Sequence, residues 1–174
     1  MNAYLLIALR LIHVFASALW VGAVFVYLFF VKPTVRSIGL VGPKFMQNLT
    51  TRTRYPMFRV TVSLLTVLAG AVLYLNTSGG FNTAWLSSGP GIGFTVGSLA
   101  GLAAFFVGNF GIGPTAGAMG ALGQKIAKAG GPPSPEDLSM LRRLEKKLDQ
   151  AETIDFVLVS IAMLTMATAR YWVF

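Results

Sequence analysis

Apolar positions along the chain gather into four long runs separated by polar stretches. The first covers residues 4–31 and is interrupted only by Arg10, His13 and Ser17. The others cover residues 56–75, about 91–122 and about 153–174. A helix that crosses the hydrocarbon core of a bilayer needs roughly 20 mostly apolar residues, so each run reads as a membrane span. The first is longer than the core is thick, which predicts tilt or a protruding end. Ala16-Ser17-Ala18 has the small-residue form of a signal-peptidase site, but the apolar run continues well past it and no basic residue precedes the run. It reads as an uncleaved membrane helix. The pattern predicts one all-α domain over residues 1–174, a four-helix transmembrane bundle with polar loops at 32–55 and 123–152.

The polar stretches carry patterns of their own. Gly42-Pro43 precedes Phe45, Met46 and Leu49, which are interleaved with Gln47, Asn48 and Arg52. This predicts a short amphipathic helix at the membrane surface with Pro43 in its first turn. Ala129-Gly130-Gly131-Pro132-Pro133 is a breaker. After it, Ser134 reads as an N-cap, with Pro135 at the first helical position and Asp137 three residues on. Leu138, Leu141, Leu144 and Leu148 then recur at helical spacing, and nothing stops this helix from running into the fourth span. Their stripe is expected to pack on the protein's own surface.

Charge placement adds an orientation. The chain has 14 Lys+Arg against 6 Asp+Glu and a formal net charge of +8. Lys32, Arg36, Lys44, Arg52 and Arg54 lie in the first polar loop, with Arg59 just inside the second span. Lys125, Lys128, Arg142, Arg143, Lys146 and Lys147 lie in the other, while residues 76–90 carry no charge. Basic loops stay in the cytoplasm, so both termini are predicted outside (N-out/C-out) and both basic loops inside. Attraction to anionic lipid heads is secondary. Only 11% of residues are charged and mean hydropathy is +0.68. Soluble domains are nearer 25% charged, so an ordinary soluble globule is excluded. There is no cysteine, which removes disulfides and iron–sulfur ligation, and the single histidine limits any His-based metal site to one such ligand per chain.

Residues 91–122 are rich in glycine. Gly93, Gly97 and Gly101 stand four apart, a spacing that lets helix backbones approach closely where lipid supplies no hydrophobic drive. They read as packing inside the bundle or as the seam of a homodimer or a membrane-complex partner. Pro114 is expected to kink or end the regular helix near its inner end.

Ionisable residues at membrane depth are costly and are functional candidates by default. Arg59 and Asp155 both lie about one turn inside the basic ends of their spans, which predicts an ion pair between helices two and four. Asn109 and Thr66 read as interhelical hydrogen-bonding groups. No acidic pair is apparent at membrane depth, which speaks against a proton-coupled carrier.

His13 follows Arg10 by three residues and shares its helix face, with Ser17 one turn deeper. Counted from the outer ends of the spans, Met163 and Met166 lie at similar depth, with Arg170 one turn outside Met166. Three uses of this set stay open. His13 serves as an axial haem ligand, with Met166 as a possible second ligand and Arg10 and Arg170 pairing with propionates. Alternatively His13, Met163 and Met166 hold Cu(I), which suits thioethers and imidazole. Or His13 is a structural hydrogen-bonding group and the methionines are packing residues. The glycine-rich stretches follow no strand and lack a phosphate-binding lysine, and nothing resembles a nucleic-acid module.

Arg10-Leu-Ile-His13-Val-Phe-Ala-Ser-Ala-Leu-Trp20-Val-Gly22 resembles the first helix of the copper-resistance D (CopD) superfamily. That group includes uncharacterised integral membrane proteins and the HemJ family of protoporphyrinogen oxidases. The likeness extends more loosely to Leu68-Ala69-Gly70, to Gly130-Gly131-Pro132-Pro133-Ser134-Pro135-Glu136 and to Met166-Ala-Thr-Ala-Arg170-Tyr171. It implies a bundle in the bacterial cytoplasmic (inner) membrane, with His13 matching the histidine that HemJ-type proteins use with haem b. The chain lacks the lysine expected in helix three and the acidic residues around helices two and four. It also has fewer Met and His than copper exporters carry. The expectation is a membrane protein binding haem b through His13 for electron transfer or haem handling; whether it is an enzyme stays open, with the missing lysine leaning against porphyrinogen oxidation. The alternatives are a cofactor-free accessory subunit or a copper-handling protein.

Overall fold

The computed structural model describes residues 2–174 and is helical throughout, with no strand among them. Asn2 caps α1 (Ala3–Val26) by accepting from the Tyr4 N–H at 3.0 Å. A π-helical run, Tyr27–Val31, then leads without a break into α2 (Lys32–Ser37). After a 3₁₀ turn come α3 (Gly42–Thr51), with Pro43 in its first turn as expected, and α4 (Tyr55–Thr77). A tight turn and the short α5 (Thr83–Leu86) precede α6 (Gly89–Phe106), a second π-helical run Val107–Ile112, and α7 (Gly113–Ala129). Gly130, at φ 67°, ends α7 in the left-handed conformation that glycine adopts without strain. Ser134 caps α8 (Pro135–Thr168), accepting from the Asp137 N–H at 3.1 Å.

Four of these helical stretches are long and apolar enough to cross a membrane: Ala3–Ser37, Tyr55–Thr77, Gly89–Ala129 and Pro135–Tyr171. Three extend well past the apolar runs read from the sequence. The 34 residues of α8 make a rod of about 50 Å at 1.5 Å per residue, against a core of about 30 Å. Charged residues are good helix formers in water, so hydropathy marks the membrane limit and not the helix end.

Pro114 neither ends its helix nor starts a loop. The irregularity lies before it, and the helix resumes to Ala129. Pro33 stands in the same relation to the first π run. Proline lacks an N–H, and its ring clashes with the carbonyl four residues back. Each preceding turn is widened by one residue: the Lys32 N–H bonds the Tyr27 carbonyl and the Gly113 N–H bonds that of Gly108. The widened turn absorbs the clash and the rod continues.

Helix α1 packs mainly on α4 and α6 mainly on α8, while α4–α6 and α1–α8 contacts close the ring. Trp20, Val24, Val62, Ala104 and Val159 form the buried centre. Most other large apolar side chains face outward, among them Leu11, Phe15, Leu99 and Leu164, each more than 60% exposed. Such a surface is suited to lipid and unsuited to water.

The glycines of α6 serve the α6–α8 contact. A Cβ on Gly93 would lie 2.7 Å from the Ala169 Cβ and 3.0 Å from its Cα, and one on Gly97 would lie 2.7 Å from the Met166 Cγ. Gly101 faces Ala162 across ordinary contact distance. Intramolecular packing is therefore what these three do in the monomer.

Candidate functional site

The two ends of the bundle differ. At one end lie the charge-free 76–90 connection and both described chain ends, with Tyr74 against Phe81 and edge-on to Trp85, which stacks on Phe94. We call it the aromatic end. The other, basic, end carries α2, α3, α7 and the start of α8.

His13 lies toward the aromatic end, half-buried between α1 and α4. Its Nδ1 is 2.8 Å from the backbone carbonyl oxygen of Thr66. A carbonyl only accepts, so Nδ1 carries the proton, and in the neutral ring Nε2 keeps its lone pair. The approach depends on Gly70. A Cβ there would come within 2.8 Å of the His13 Cε1. The Thr66 carbonyl has two lone pairs, enough for its own helix and for the imidazole. The hydroxyl of Thr66 instead donates to Val62 within its own helix at 2.8 Å. The interhelical group is thus the backbone carbonyl and not the side chain.

The other residues singled out at this end are spread over several surfaces. Arg10 is exposed one turn beyond His13, and the Ser17 hydroxyl donates to the Val14 carbonyl of its own helix. Met166 packs against Gly97, while Met163 is 56% exposed on the outside of the bundle. Arg170 is exposed, its guanidinium 5.8 Å from the Tyr171 ring centroid. Of these residues, His13 alone has a described contact with α4. Among the described residues no group of three or more His, Asp or Glu is arranged to hold a metal ion.

The basic end gathers more chemistry than its sequence suggested. Arg59 and Asp155 do meet, with Nη2 3.7 Å from Oδ2, an ion pair too long for a hydrogen bond. Asp155 is 1% exposed, and neither its carboxylate oxygens nor the Arg59 Nε has a hydrogen-bonding partner. Val24, Tyr27, Leu28, Tyr55, Ile112 and Glu152 line a small cavity together with this pair. Gly108, in the second π run, leaves open the space beside it, since a Cβ there would lie 3.7 Å from Arg59 Nη2 and 3.8 Å from Asp155 Oδ1. Nearby, Asn109 donates to its own helix at Phe105 and reaches Ser63 of α4 at 3.4 Å.

Glu152 was missed by the sequence reading. It is buried one turn before Asp155 and bonds Lys32 Nζ at 2.5 Å. Lys32 also bonds Asp149 at 2.7 Å, and Arg36 bonds the other oxygen of Asp149 at 2.6 Å. Glu152 and Asp155 thus form an acidic pair buried on one face of α8, at the basic end of the fourth span. The 152/155 spacing was the available signal. It was lost because hydropathy started the span at residue 153. Farther out, Lys125 bonds Asp137 at 3.0 Å. That bond and the Ser134 hydroxyl hold the Asp137 carboxyl below its usual range.

No family model, curated protein or solved structure matches this chain.

Proposed function

We propose that the chain is a small membrane haem protein in which His13 supplies an axial ligand to one b-type haem at the aromatic end. One observation carries this reading: the His13 Nδ1–H is spent on the Thr66 carbonyl, leaving Nε2 as the free nitrogen. Ligating histidines characteristically donate the other ring N–H to a carbonyl or carboxylate, which fixes the tautomer and the ring plane. Arg10 and Arg170, both exposed near the same end, are the residues to pair with propionates. Met166 is engaged with Gly97, so His13 alone carries the assignment of a ligand. A haem so held supplies one-electron chemistry for electron transfer or haem handling.

In this reading the basic end faces the cytoplasm and the termini lie outside, in the bacterial inner membrane, because basic loops are retained inside. Helix α3 then lies along the inner surface with Phe45 turned to the lipid; that side chain is 45% exposed.

The test is the visible spectrum of detergent-purified protein from a haem-supplied host, oxidised and dithionite-reduced. Wild type is expected to show a Soret band that His13→Ala loses. Absence of the band in wild type would sink the haem reading, and a band unchanged in the variant would remove His13 as ligand. The same Thr66 bond favours a second reading, a cofactor-free accessory subunit. In it His13 ties α1 to α4 by that bond alone. Co-purification of colourless protein with a larger complex would select it.

A further inference from the structure

Among the described residues, the Arg59–Asp155 centre is where the bundle buries side-chain polar atoms without satisfying them. It stands apart from His13 and does not depend on the haem reading. Asp155 is 1% exposed, its two oxygens and the Arg59 Nε lack partners, and the Arg59 guanidinium that pairs with it is 3.7 Å away. Native interiors rarely leave such groups unpaired, and an exception calls for a water or a proton. Room for a water is present. The cavity against the pair offers the centre of a water molecule about 10 Å³, the least that such a molecule needs, and the three orphaned atoms supply the partners it requires.

The surroundings favour exchange with solvent from one side. Toward the bilayer centre the lining ends at the apolar Val24, while Ile112 lies one turn past Gly108 on the basic side. Toward the basic end it meets Glu152, whose partner Lys32 is 14% exposed and bonds the more open Asp149. The groups that face the centre are Tyr27 from the π run after α1, with Lys32 beyond it; Arg59 and Tyr55 from α4; and Glu152 from α8. The second π run contributes Ile112 and the open space at Gly108, and no titratable group. Lys32 and Arg59 balance Glu152 and Asp155, so the charged cluster has no surplus with which to hold a metal cation. Proton uptake turns the Asp155 carboxylate into an acid whose O–H donates a hydrogen bond to the water.

We infer that the Arg59–Asp155 pair is a hydrated proton-binding site: one water bridges the two side chains, and Asp155 takes up and releases a proton through the basic end. The proton comes from bulk water by way of the bound water and the Glu152–Lys32 pair. No other bond forms or breaks, and Arg59 stays cationic throughout. Ionisable side chains at membrane depth serve as proton sites elsewhere for the same physical reason, namely that lipid leaves them no other partner. Widened helical turns such as the two beside this centre recur at functional positions.

Infrared difference spectra of the protein in lipid nanodiscs, taken between alkaline and acidic pH, test the inference. Wild type is expected to gain a protonated-carboxyl stretch on acidification, together with a water O–H band that shifts in oxygen-18 water. Asp155→Asn is expected to lose the carboxyl band, and Glu152→Gln to keep it. Asp155→Glu, which retains the carboxyl should the amide fail to fold, is expected to displace its frequency. No carboxyl band in wild type, a band that survives Asp155→Asn, or one unmoved in Asp155→Glu overturns the proton site. A carboxyl band without the oxygen-18-sensitive water overturns the bridging water.

Discussion

The aromatic and basic ends of this bundle solve the same problem, holding helices together where lipid gives them no reason to associate, by opposite means. At the aromatic end α6 meets α8 backbone to backbone, and Gly93 leaves no room even for a methyl against Ala169. Contact there is made by dispersion and by edge-on and stacked aromatic contacts around Trp85. At the basic end charged side chains link the helices: Arg59 with Asp155, Lys32 with Glu152 and Asp149. Close approach thus joins α6 to α8, while ionic bridging joins α2 and α4 to α8.

The largest effect should come from breaking the basic end. Asp155→Ala leaves Arg59 largely buried without its acid, and breaking a buried pair costs about 3–5 kcal/mol. Because Arg59 is 22% exposed, the lower figure is expected in a detergent-denaturation titration. Replacing both members, as Arg59→Met with Asp155→Leu, should recover most of the loss. A double variant as unstable as the single would show that the pair itself, and not the stranded charge, matters.

A smaller effect is expected from the same substitution made at two glycines. Gly93→Ala should destabilise by about 1–3 kcal/mol, since the new methyl meets Ala169 backbone as well as side chain. Gly117→Ala, in α7 with nothing within 4 Å, should be neutral or stabilising by up to about 1 kcal/mol, because alanine is the better helix former. Thermal melts of equal cost for both would refute steric packing as the device of the aromatic end.

The smallest effect concerns the exposed Lys125–Asp137 pair. The Asp137 carboxyl is held below its usual range, so its contribution is complete above that range and disappears as pH falls through the lowered value. Melting followed downward from neutral pH should show wild type losing slightly more stability than Asp137→Asn. Equal slopes would mean that the pair contributes nothing.

The two ends were also unequally legible in sequence. Span number, the Ser134 cap, the Pro43 helix start and the Arg59–Asp155 pairing follow from local pattern and from depth counting, and the structure contains them. Glu152 escaped because its neighbours are polar and its burial comes from Lys32, 120 residues away. The acceptor of His13 escaped for a different reason: it is a backbone carbonyl, which every residue has, and only Gly70 hinted at it. The π runs left no periodic trace, because the prolines that demand them come after the affected turn. Depth counting brought Met163 and Met166 level with His13, but depth says nothing about facing, and Met163 looks outward.

Each widened turn also acts as a phase shifter. One extra residue in a helix of 3.6 residues per turn rotates everything downstream by about 100°. Without the extra residue in Tyr27–Val31, Lys32 and Arg36 would address a different sector of the bundle and not the acids of α8. The insertion in Val107–Ile112 in the same way sets which side of α7 turns toward α8. A sequence alignment that tolerates a single gap in either segment would therefore be comparing helices with different faces, however similar their residues.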